Sequence, residues 1–275
     1  PLGLYIIDVI LRIFYFVSYP RRILFTKLIG EKFVRIYFQN PSGYKPGQHI
    51  NIFLPQIAST EAHTFSPISN PENKLSSVII EVKRNWTRKL KEYLQEGKEL
   101  TGTNIDGPFG QIDIPFFSHK KNLVLVAGGV GITPIMSILY TLKYQYNYKD
   151  TTVHLIWSCR ESELLVELAD EIGQMLSQPS KLQIHLHVYH TGSTQVEIPL
   201  ENATPYTKAF FDCMKEGRAN LFEIFKEIKY QSRLHESRKA GVFVCGSGSF
   251  RDVVLRNVPY SSNCFFNIHC ESFSN

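Results

Sequence analysis

The densest set of residues able to do chemistry is a glycine-rich turn near the middle of the chain. Residues 127–134 read AGGVGITP and follow a nearly continuous apolar run at 122–127, which is typical of a strand buried on both faces. Glycines let a backbone approach a phosphate closely, and free N–H groups at a helix start favour its negative charge. Pro134, near the first helical position, stands where a full G-x-G-x-x-G would have its last glycine. The turn therefore fits either a phosphate site or a plain strand-to-helix turn.

The end of the next apolar strand bears on which nucleotide would bind. Residues 153–157 are followed by Ser158, Cys159, Arg160 and Glu161. In dinucleotide sites an acidic residue here holds the ribose 2′-hydroxyl of NAD, whereas an arginine accommodates the 2′-phosphate of NADP. Arg160 favours NADPH over NADH, and Glu161 one residue later leaves the alternative open.

Two segments in the first half also carry polar and aromatic groups at short spacing. Residues 63–69, HTFSPIS, set an aromatic ring beside an imidazole and several hydroxyls. Such a set could flank a flavin ring and bond its ribityl or phosphate groups, or it could be a strand end with capping serines. Residues 106–110, DGPFG, predict a rigid turn between two domains.

The elements that would position these groups change character near residue 115. Before it, short runs rich in Ile, Val, Phe and Tyr are separated by turn residues, which predicts a small antiparallel barrel or sandwich. One helix interrupts the strands, with Thr87 predicted as its cap and Gly97 at its end. The predicted strands are 22–25, 33–39, 49–54 and 77–83.

After residue 115, buried strands alternate with helices, which predicts a parallel sheet with helices on both faces. The polar stretch 191–220 is expected to be a surface insertion. His185, His187 and His190 share one predicted strand, but no carboxylate or cysteine completes a ligand set, so we predict no metal site. The predicted strands are 122–127, 153–157, 182–189, 241–245 and 264–269, and the predicted helices are 135–144, 161–176 and 220–230.

Length and composition bound the functional classes. The 275 residues, 43% hydrophobic and 20% charged, fit about two globular domains. The net charge of +5 comes without a long basic run, which argues against a nucleic-acid-binding stripe. Five cysteines without a C-x-x-C pair indicate reduced thiols in a cytosolic setting, not a disulfide framework or zinc site.

The first residues are strongly apolar. Residues 2–19 read LGLYIIDVILRIFYFVSY, and the charges of Asp8 and Arg12 within fewer than about 20 apolar residues argue against a full membrane span. Arg21 and Arg22 follow the apolar run, whereas a signal peptide has its basic residues in front. We expect either a helix lying against a membrane or partner, or the tail of a segment from a longer chain.

Taken together, the motifs resemble the cytosolic dehydrogenase region of NADPH oxidases, and the resemblance runs nearly from end to end. Membrane ferric reductases share most of these motifs. Their order and spacing are more specific than any one of them. The segments that carry the resemblance are 63–69, 86–87, 106–110, 127–134, 157–161, 244–246 and 271–273.

The resemblance implies an antiparallel β-barrel FAD-binding domain followed by a Rossmann-like α/β NADPH-binding domain, as in ferredoxin–NADP reductases. The implied divisions are a membrane-proximal segment at 1–19, the FAD domain at 20–116 and the NADPH domain at 117–275.

The resemblance also implies roles for individual residues. On the flavin side these are His63, Phe65, Ser66 and Ser69 in the flavin-binding segment and Thr87 near the FAD diphosphate. On the nicotinamide side they are Gly129, Gly131, Thr133 and Pro134 in the diphosphate loop, Arg160 at the 2′-phosphate, Arg218 at the adenosine end, Cys245 and Gly246 in the nicotinamide pocket, and Phe273 over the flavin ring. Cys245 and Phe273 are the implied catalytic residues, since Phe273 must move before nicotinamide can stack there.

The chain departs from the family pattern in the flavin half. Thr64 replaces a proline, Glu81 replaces an arginine and Arg84 replaces a glycine. These changes imply weaker FAD binding or rearranged contacts, with Lys83 or Arg84 able to supply the lost positive charge. Phe273 is also followed by two further residues, Ser274 and Asn275.

The implied activity is hydride transfer from NADPH to FAD, followed by electron transfer to a haem in the transmembrane portion of the same longer chain. Oxygen would then be reduced to superoxide, with this region on the cytoplasmic face of a membrane and regulatory proteins or domains as further partners. A ferric reductase is the first alternative. A regulatory module that senses NADPH without turnover is the second, supported by Glu81 and Arg84.

Overall fold

The chain divides into two compact units, Pro1–Gln111 and Ile112–Asn275. The computed structural model describes residues 3–7, 10–11, 23–40, 44–110, 122–144, 151–178, 182–199, 203–234, 239–259 and 265–272. The boundary expected between residues 116 and 117 falls outside the described residues, and it stays a prediction.

The first unit is built from two antiparallel sheets. One has the strand order β1-β2-β6-β5 and the other β4-β3-β7. The strands are β1 (Ile23–Ile29), β2 (Phe33–Gln39), β3 (His49–Phe53), β4 (Ala62–Phe65), β5 (Ile68–Ser69), β6 (Leu75–Glu81) and β7 (Asn104–Phe109). Alternating side chains of β2, β3 and β6, including Ile36, Ile52 and Ile80, form its core, so the predicted antiparallel β architecture is confirmed.

Helix α1 of this unit spans Asn85–Gln95 and buries Trp86 and Leu90 against the core. The predicted cap at Thr87 is wrong, because the N-cap is Arg84, three residues earlier, and the helix begins at Asn85. Trp86 is buried in the first turn of the helix. The Thr87 hydroxyl then accepts the Lys83 N–H at 2.9 Å and donates to the Arg84 carbonyl at 3.1 Å.

The short strands β4, β5 and β7 were not predicted as strands. The expected interdomain turn at 106–110 instead lies mostly within β7, where Asp106 pairs with Asn51 of β3. Glycine and proline in DGPFG predict a turn from local preference alone. Pairing with β3 overrides that preference, because the neighbouring strand supplies hydrogen bonds that the segment cannot make by itself.

The second unit is a six-stranded parallel sheet with strand order β11-β10-β9-β8-β12-β13. Its strands are β8 (Asn122–Gly128), β9 (Thr151–Cys159), β10 (Leu182–His190), β11 (Met214–Glu216), β12 (Ala240–Gly246) and β13 (Phe266–Ser272). Its helices are α2 (Ile132–Tyr144), α3 (Ser162–Ser177), α4 (Pro205–Asp212), α5 (Leu221–Leu234) and α6 (Gly248–Asn257). Because all strands run in one direction, their carboxyl ends share one edge of the sheet, and the predicted parallel sheet is confirmed.

The prediction of a surface insertion at 191–220 is wrong for much of that stretch. It contains helix α4 and the edge strand β11. Phe210 of α4 is fully buried with its ring centre 6.1 Å from that of Trp157. Gly173 of α3 lies so close to the Tyr206 backbone that a Cβ would meet it. An eight-residue helix and a three-residue strand are too short to stand out as a periodic pattern.

At the start of the chain, residues 3–7 and 10–11 are helical and their apolar side chains are exposed, as in Leu4 and Ile10. Within the described residues, no helix has the length and apolar character needed to cross a membrane. The remainder of the segment 1–19 lies outside the described residues.

Candidate functional site

The predicted flavin segment of the first unit meets the start of helix α1. His63 on β4 packs at a tilt against Trp86, with ring centres 4.4 Å apart, and the Phe65 ring centre lies 6.1 Å from that of the same indole. The His63 Nε2 also lies 3.3 Å from a carboxylate oxygen of Glu61. The fold thus brings together β4 and the Trp-Thr pair, which are about 20 residues apart in sequence.

The two serines of the flavin segment differ in availability. Ser66 is partly exposed in the loop between β4 and β5. Ser69 is 3% exposed, and its hydroxyl donates to the Asn40 side chain at 2.9 Å. The structure therefore places Ser66 where a ligand could reach it, whereas Ser69 serves to hold β5 to the end of β2.

The first turn of α1 is electrostatically unusual. It has no acidic residue and no side-chain cap. Two arginines, Arg84 and Arg88, are exposed on either side of Thr87. Positive side chains at a helix N-terminus oppose the helix dipole, whereas an anion there is stabilised. The buried Trp86 Nε1 also has no hydrogen-bond partner in the described part of the chain. These features fit a bound diphosphate.

The negative charge of Glu81, which stands where the family has an arginine, is partly balanced by Lys83. Its carboxylate lies 3.2 Å from the Lys83 ammonium, and both side chains are partly exposed. Such an exposed pair contributes little to stability, about 0–1 kcal/mol. It does reduce the negative charge next to the first turn of α1.

In the second unit, the glycine-rich turn joins β8 to α2 through a short 3₁₀ turn at Gly129–Gly131. Gly129 has φ +53 and no atom within 4 Å of where a Cβ would lie. Its carbonyl accepts the Trp157 indole N–H at 3.0 Å. The Trp157 bond therefore holds the turn in place, while the Cβ side of Gly129 is open, which fits the approach of a phosphate to its backbone.

The remaining residues of the turn are packed. A Cβ on Gly131 would lie 2.7 Å from the carbonyl carbon of Cys245, so only glycine fits between the turn and β12. Thr133 is 3% exposed, and its hydroxyl donates to the Val130 carbonyl at 3.2 Å. Pro134 is buried in the first turn of α2. Gly131, Thr133 and Pro134 shape the turn, while Gly129 presents its open face.

Strand β12 ends beside this turn at Cys245 and Gly246. Cys245 is fully buried and pairs in register with Ala127 of β8. Gly128 and Gly246 both lie under the Phe250 ring, at distances that leave no room for a side chain. The sheet therefore places the phosphate turn and the predicted nicotinamide pair at neighbouring strand ends.

Glu271 is a functional candidate within the segment 271–273, to which the resemblance gave no individual role. It pairs in register with Cys245 on β13, and burial raises its pKa to about 7. Burial, and next the charge of Glu271, raises the pKa of the Cys245 thiol. Only the pairing of β12 with β13 reveals this contact. Phe273, two residues further on, lies outside the described residues.

The two arginines expected at the adenosine end follow strands on the opposite side of β8 from β12, at the same carboxyl edge of the sheet. Arg160 follows β9 and Arg218 follows β11, and both are exposed. Gly217, directly before Arg218, has φ +92, a conformation that favours glycine. Neither guanidinium has an ion-pair partner among the described residues.

The histidines of β10 do not form one cluster. His185 and His187 stack instead with His154 of β9, at ring-centre distances of 4.9 and 5.9 Å. Burial, then the neighbouring His185 and His187, lowers the pKa of His154 to about 3. His190 lies apart from this stack, with its Nδ1 3.0 Å from a carboxylate oxygen of Glu216.

Two family models account for nearly the whole chain. Residues 18–120 match an FAD-binding domain, and residues 120–258 match a ferric reductase NAD-binding domain. The predicted binding of FAD and a nicotinamide nucleotide is therefore confirmed at the level of the two domains.

Curated relatives are similar over most of the chain. It is 30% identical over 269 residues to a heavy chain of the superoxide-generating NADPH oxidase of Dictyostelium discoideum, covering 84% of this chain and 37% of that protein. It is 30% identical over 275 residues to NADPH oxidase 3 of Homo sapiens, covering 90% and 46% respectively. The chain thus spans less than half the length of these relatives.

The fold is shared with a solved flavoprotein. A ferredoxin–NADP⁺ reductase from Neisseria gonorrhoeae, with bound FAD and NADP, superposes with a TM-score of 0.60 at 16% identity, covering 92% of this chain and 97% of that one. This likeness confirms the ferredoxin–NADP reductase type of fold. The chain therefore belongs to the ferric reductase NAD-binding domain family, as an FAD-containing oxidoreductase region that is homologous to NADPH oxidases over most of its length.

Proposed function

We propose that this chain is the dehydrogenase portion of an NADPH oxidase. The first unit would hold FAD and the second NADPH, and the bound cofactors would supply hydride transfer and then pass electrons to haem and oxygen. The haem would lie in the membrane portion of the complete protein, with this chain on the cytoplasmic face. The homology to NADPH oxidases supports this proposal.

On the flavin side, the chain contributes stacking surface and positive charge. His63, Phe65 and Ser66 would line the flavin and its ribityl chain. The backbone N–H groups at the start of α1, near Thr87, would bind the diphosphate, helped by Arg84 in place of the positive charge that the family has at Glu81. The exposed, cap-free first turn of α1 supports this assignment.

On the nicotinamide side, the chain would bind NADPH along the carboxyl edge of the parallel sheet. Gly129 would admit the diphosphate to a turn that Gly131 packs against β12. Arg160 and Arg218 would hold the 2′-phosphate, and Cys245 with Gly246 would form the nicotinamide pocket. Because burial raises the pKa of Cys245, its thiol stays protonated and acts by shape, not as a nucleophile. We assign Phe273 the shielding of the flavin ring.

One observation carries the proposal. Three groups lie at the carboxyl ends of the consecutive parallel strands β9, β8 and β12. They are Arg160 after β9, the open backbone of Gly129 after β8, and the Cys245–Gly246 pair at the end of β12. Dinucleotides bind at this edge in open α/β sheets. Each group taken alone fits a plain structural role. Because all three lie along one edge of the sheet, a single extended nucleotide could contact them together.

The test is an anaerobic reduction. The FAD-loaded complete protein is mixed with NADPH or NADH, and bleaching of the oxidised flavin band is followed. We expect faster bleaching with NADPH, and Arg160→Ala should raise KM for NADPH about tenfold or more, since a charge-assisted contact contributes about 1.5–3 kcal/mol. Arg256→Ala on α6 is the matched control and should leave both rates unchanged.

Two results would contradict the proposal. Absence of bleaching with bound FAD would rule out the hydride step, and absence of FAD binding would favour a regulatory module that senses NADPH without turnover. Equal rates with NADH and NADPH would remove the assigned role of Arg160.

The terminal acceptor separates this proposal from its first alternative. The match to a ferric reductase NAD-binding domain favours iron as a second candidate acceptor. In the complete protein, NADPH-dependent superoxide that is insensitive to added ferric chelate would support the oxidase. Ferric reduction that persists without oxygen, accompanied by little superoxide in air, would support the reductase.

A further inference from the structure

The proposed NADPH site contains a buried histidine that contacts both of its arginine-bearing loops. We propose that His190 is a positioning residue for recognition of the 2′-phosphate of NADPH. It would act through the backbone of Arg160 and through the segment that leads to Arg218. The inference rests on the proposed NADPH-binding function.

His190 is the last residue of β10, between the ends of β9 and β11. It pairs in register with Cys159 on one side and Glu216 on the other. Its side chain is 1% exposed. Arg160 and Arg218 follow these neighbouring strands by one and two residues, so His190 stands between the two loops that carry them.

Both ring nitrogens of His190 face acceptors on those loops. Nε2 lies 3.2 Å from the Arg160 carbonyl oxygen, and Nδ1 lies 3.0 Å from a carboxylate oxygen of Glu216. The main chain adds two further links, since the Thr191 N–H donates to the Cys159 carbonyl and the Gly217 N–H donates to the His190 carbonyl, each at 2.8 Å.

Gly192 packs directly against the ring of this histidine. A Cβ on Gly192 would lie 2.6 Å from His190 Nε2 and would also meet the Arg160 carbonyl oxygen. Gly192 therefore holds the backbone of the β10–α4 loop close over the histidine–arginine contact. A buried imidazole needs polar partners. Both partners here are acceptors, so a ring nitrogen bonds its partner only where it carries a hydrogen.

Two effects on 2′-phosphate binding follow. The bond to the Arg160 carbonyl fixes the peptide from which the exposed Arg160 side chain extends. The contact with Glu216 holds the end of strand β11, two residues before Arg218, although the carboxylate itself is 67% exposed. His190 therefore affects the 2′-phosphate end of NADPH without touching the nucleotide.

The experiment uses two variants that each keep one donor. The side-chain amide nitrogen of glutamine can take the position of the histidine Nε2, and that of asparagine can take the position of Nδ1. His190→Gln can keep the bond to Arg160, whereas His190→Asn can keep only the contact with Glu216. Binding of 2′-phospho-AMP and of AMP to the complete FAD-loaded protein is measured by calorimetry, beside Arg160→Ala and a thermal unfolding control.

We expect His190→Asn to weaken 2′-phospho-AMP binding about five- to tenfold, which corresponds to about 1–1.4 kcal/mol, with AMP affinity unchanged. His190→Gln should retain most of the preference. In the Arg160→Ala background, His190→Asn should have no further effect, because coupled residues are not additive. A loss in both His190 variants that is confined to 2′-phospho-AMP also supports the positioning role, and shows that both contacts are needed.

Two outcomes overturn the inference. Equal weakening of 2′-phospho-AMP and AMP would make His190 a structural residue only, and unchanged binding in both variants would give it no role. If the wild-type protein and Arg160→Ala bind the two nucleotides equally well, the proposed NADPH selectivity itself fails, and the inference fails with it. A wild-type preference that depends on Arg160 but not on His190 rejects this inference alone.

Discussion

Cys245 and Glu271 show how burial at a strand end sets the protonation of single residues. They are partners across β12 and β13, and burial raises the pKa of both side chains. His269 also approaches Glu271, with 3.9 Å between Nε2 and Oε1. A carboxyl group that titrates near neutral pH at a proposed nicotinamide pocket couples the local charge to pH.

This coupling predicts a pH-dependent effect on stability. The pKa of Glu271 is about 7 in the folded protein against a reference of 4.5, so the unfolded chain loses its proton first. The stability contribution of this group therefore falls between about pH 4.5 and pH 7 and stays low above it. Glu271→Gln should stabilise the protein by up to about 3 kcal/mol at pH 8, with the gain largely lost at pH 5.

Urea unfolding at the two pH values measures this difference. Glu197→Gln, which removes an exposed carboxylate, is the control and should change neither value. An equal gain for Glu271→Gln at pH 5 and pH 8 would show that Glu271 is ionised throughout this range and that its burial does not control its charge.

At the scale of elements, the site depends on the contact between the glycine-rich turn and strand β12. Gly131 touches the backbone where Cys245 joins Gly246. This contact sets the separation between the proposed diphosphate and nicotinamide positions. A packed backbone of this kind does not adapt freely to added volume.

Gly131→Ala should therefore impair both stability and nucleotide binding. The added methyl group forces the turn away from β12, at a cost of about 1–3 kcal/mol, and NADP⁺ affinity should fall about tenfold or more. Gly248→Ala at the start of α6 is the matched control, because nothing lies within 4 Å of its added Cβ. Calorimetric binding and urea unfolding of both variants make the comparison, and a Gly131→Ala protein with normal NADP⁺ affinity would contradict it.

At the scale of the whole molecule, each unit has its own hydrophobic core. Ile36, Ile52 and Ile80 belong to the core of the first unit, and Val126 and Val244 belong to that of the second. Units with separate cores can unfold separately. A ligand that binds one unit raises the stability of that unit by mass action.

We therefore expect two thermal transitions, of which FAD raises only the one of the first unit. At one hundred times its Kd, FAD adds about 2.7 kcal/mol, or about 10 °C or more for a unit of about 100 residues. NADP⁺ should raise the other transition. Differential scanning calorimetry, with hydrogen exchange to assign each transition, measures this. One transition that shifts with either ligand would show that the two units unfold together.

The sequence by itself determined the features that are local. The apolar-rich segments before Gly128 and Arg160 identified buried parallel strands, and the glycines of residues 128–131 identified the turn between β8 and α2. Burial on both faces leaves a pattern within one segment, and a turn that needs glycine shows its residues directly. The two-domain organisation and most of the strands were predictable for these reasons.

Only the tertiary structure decided which of these residues meet. The contacts of Glu271 with Cys245, of His190 with Glu216 and of His63 with Trp86 all depend on strand order or on pairing between distant segments. Periodicity reports whether a residue is buried, not what lies opposite it. The short strands β4, β5 and β7 and helix α4 were missed for the same reason, because tertiary contacts stabilise them more than their own residue preferences do.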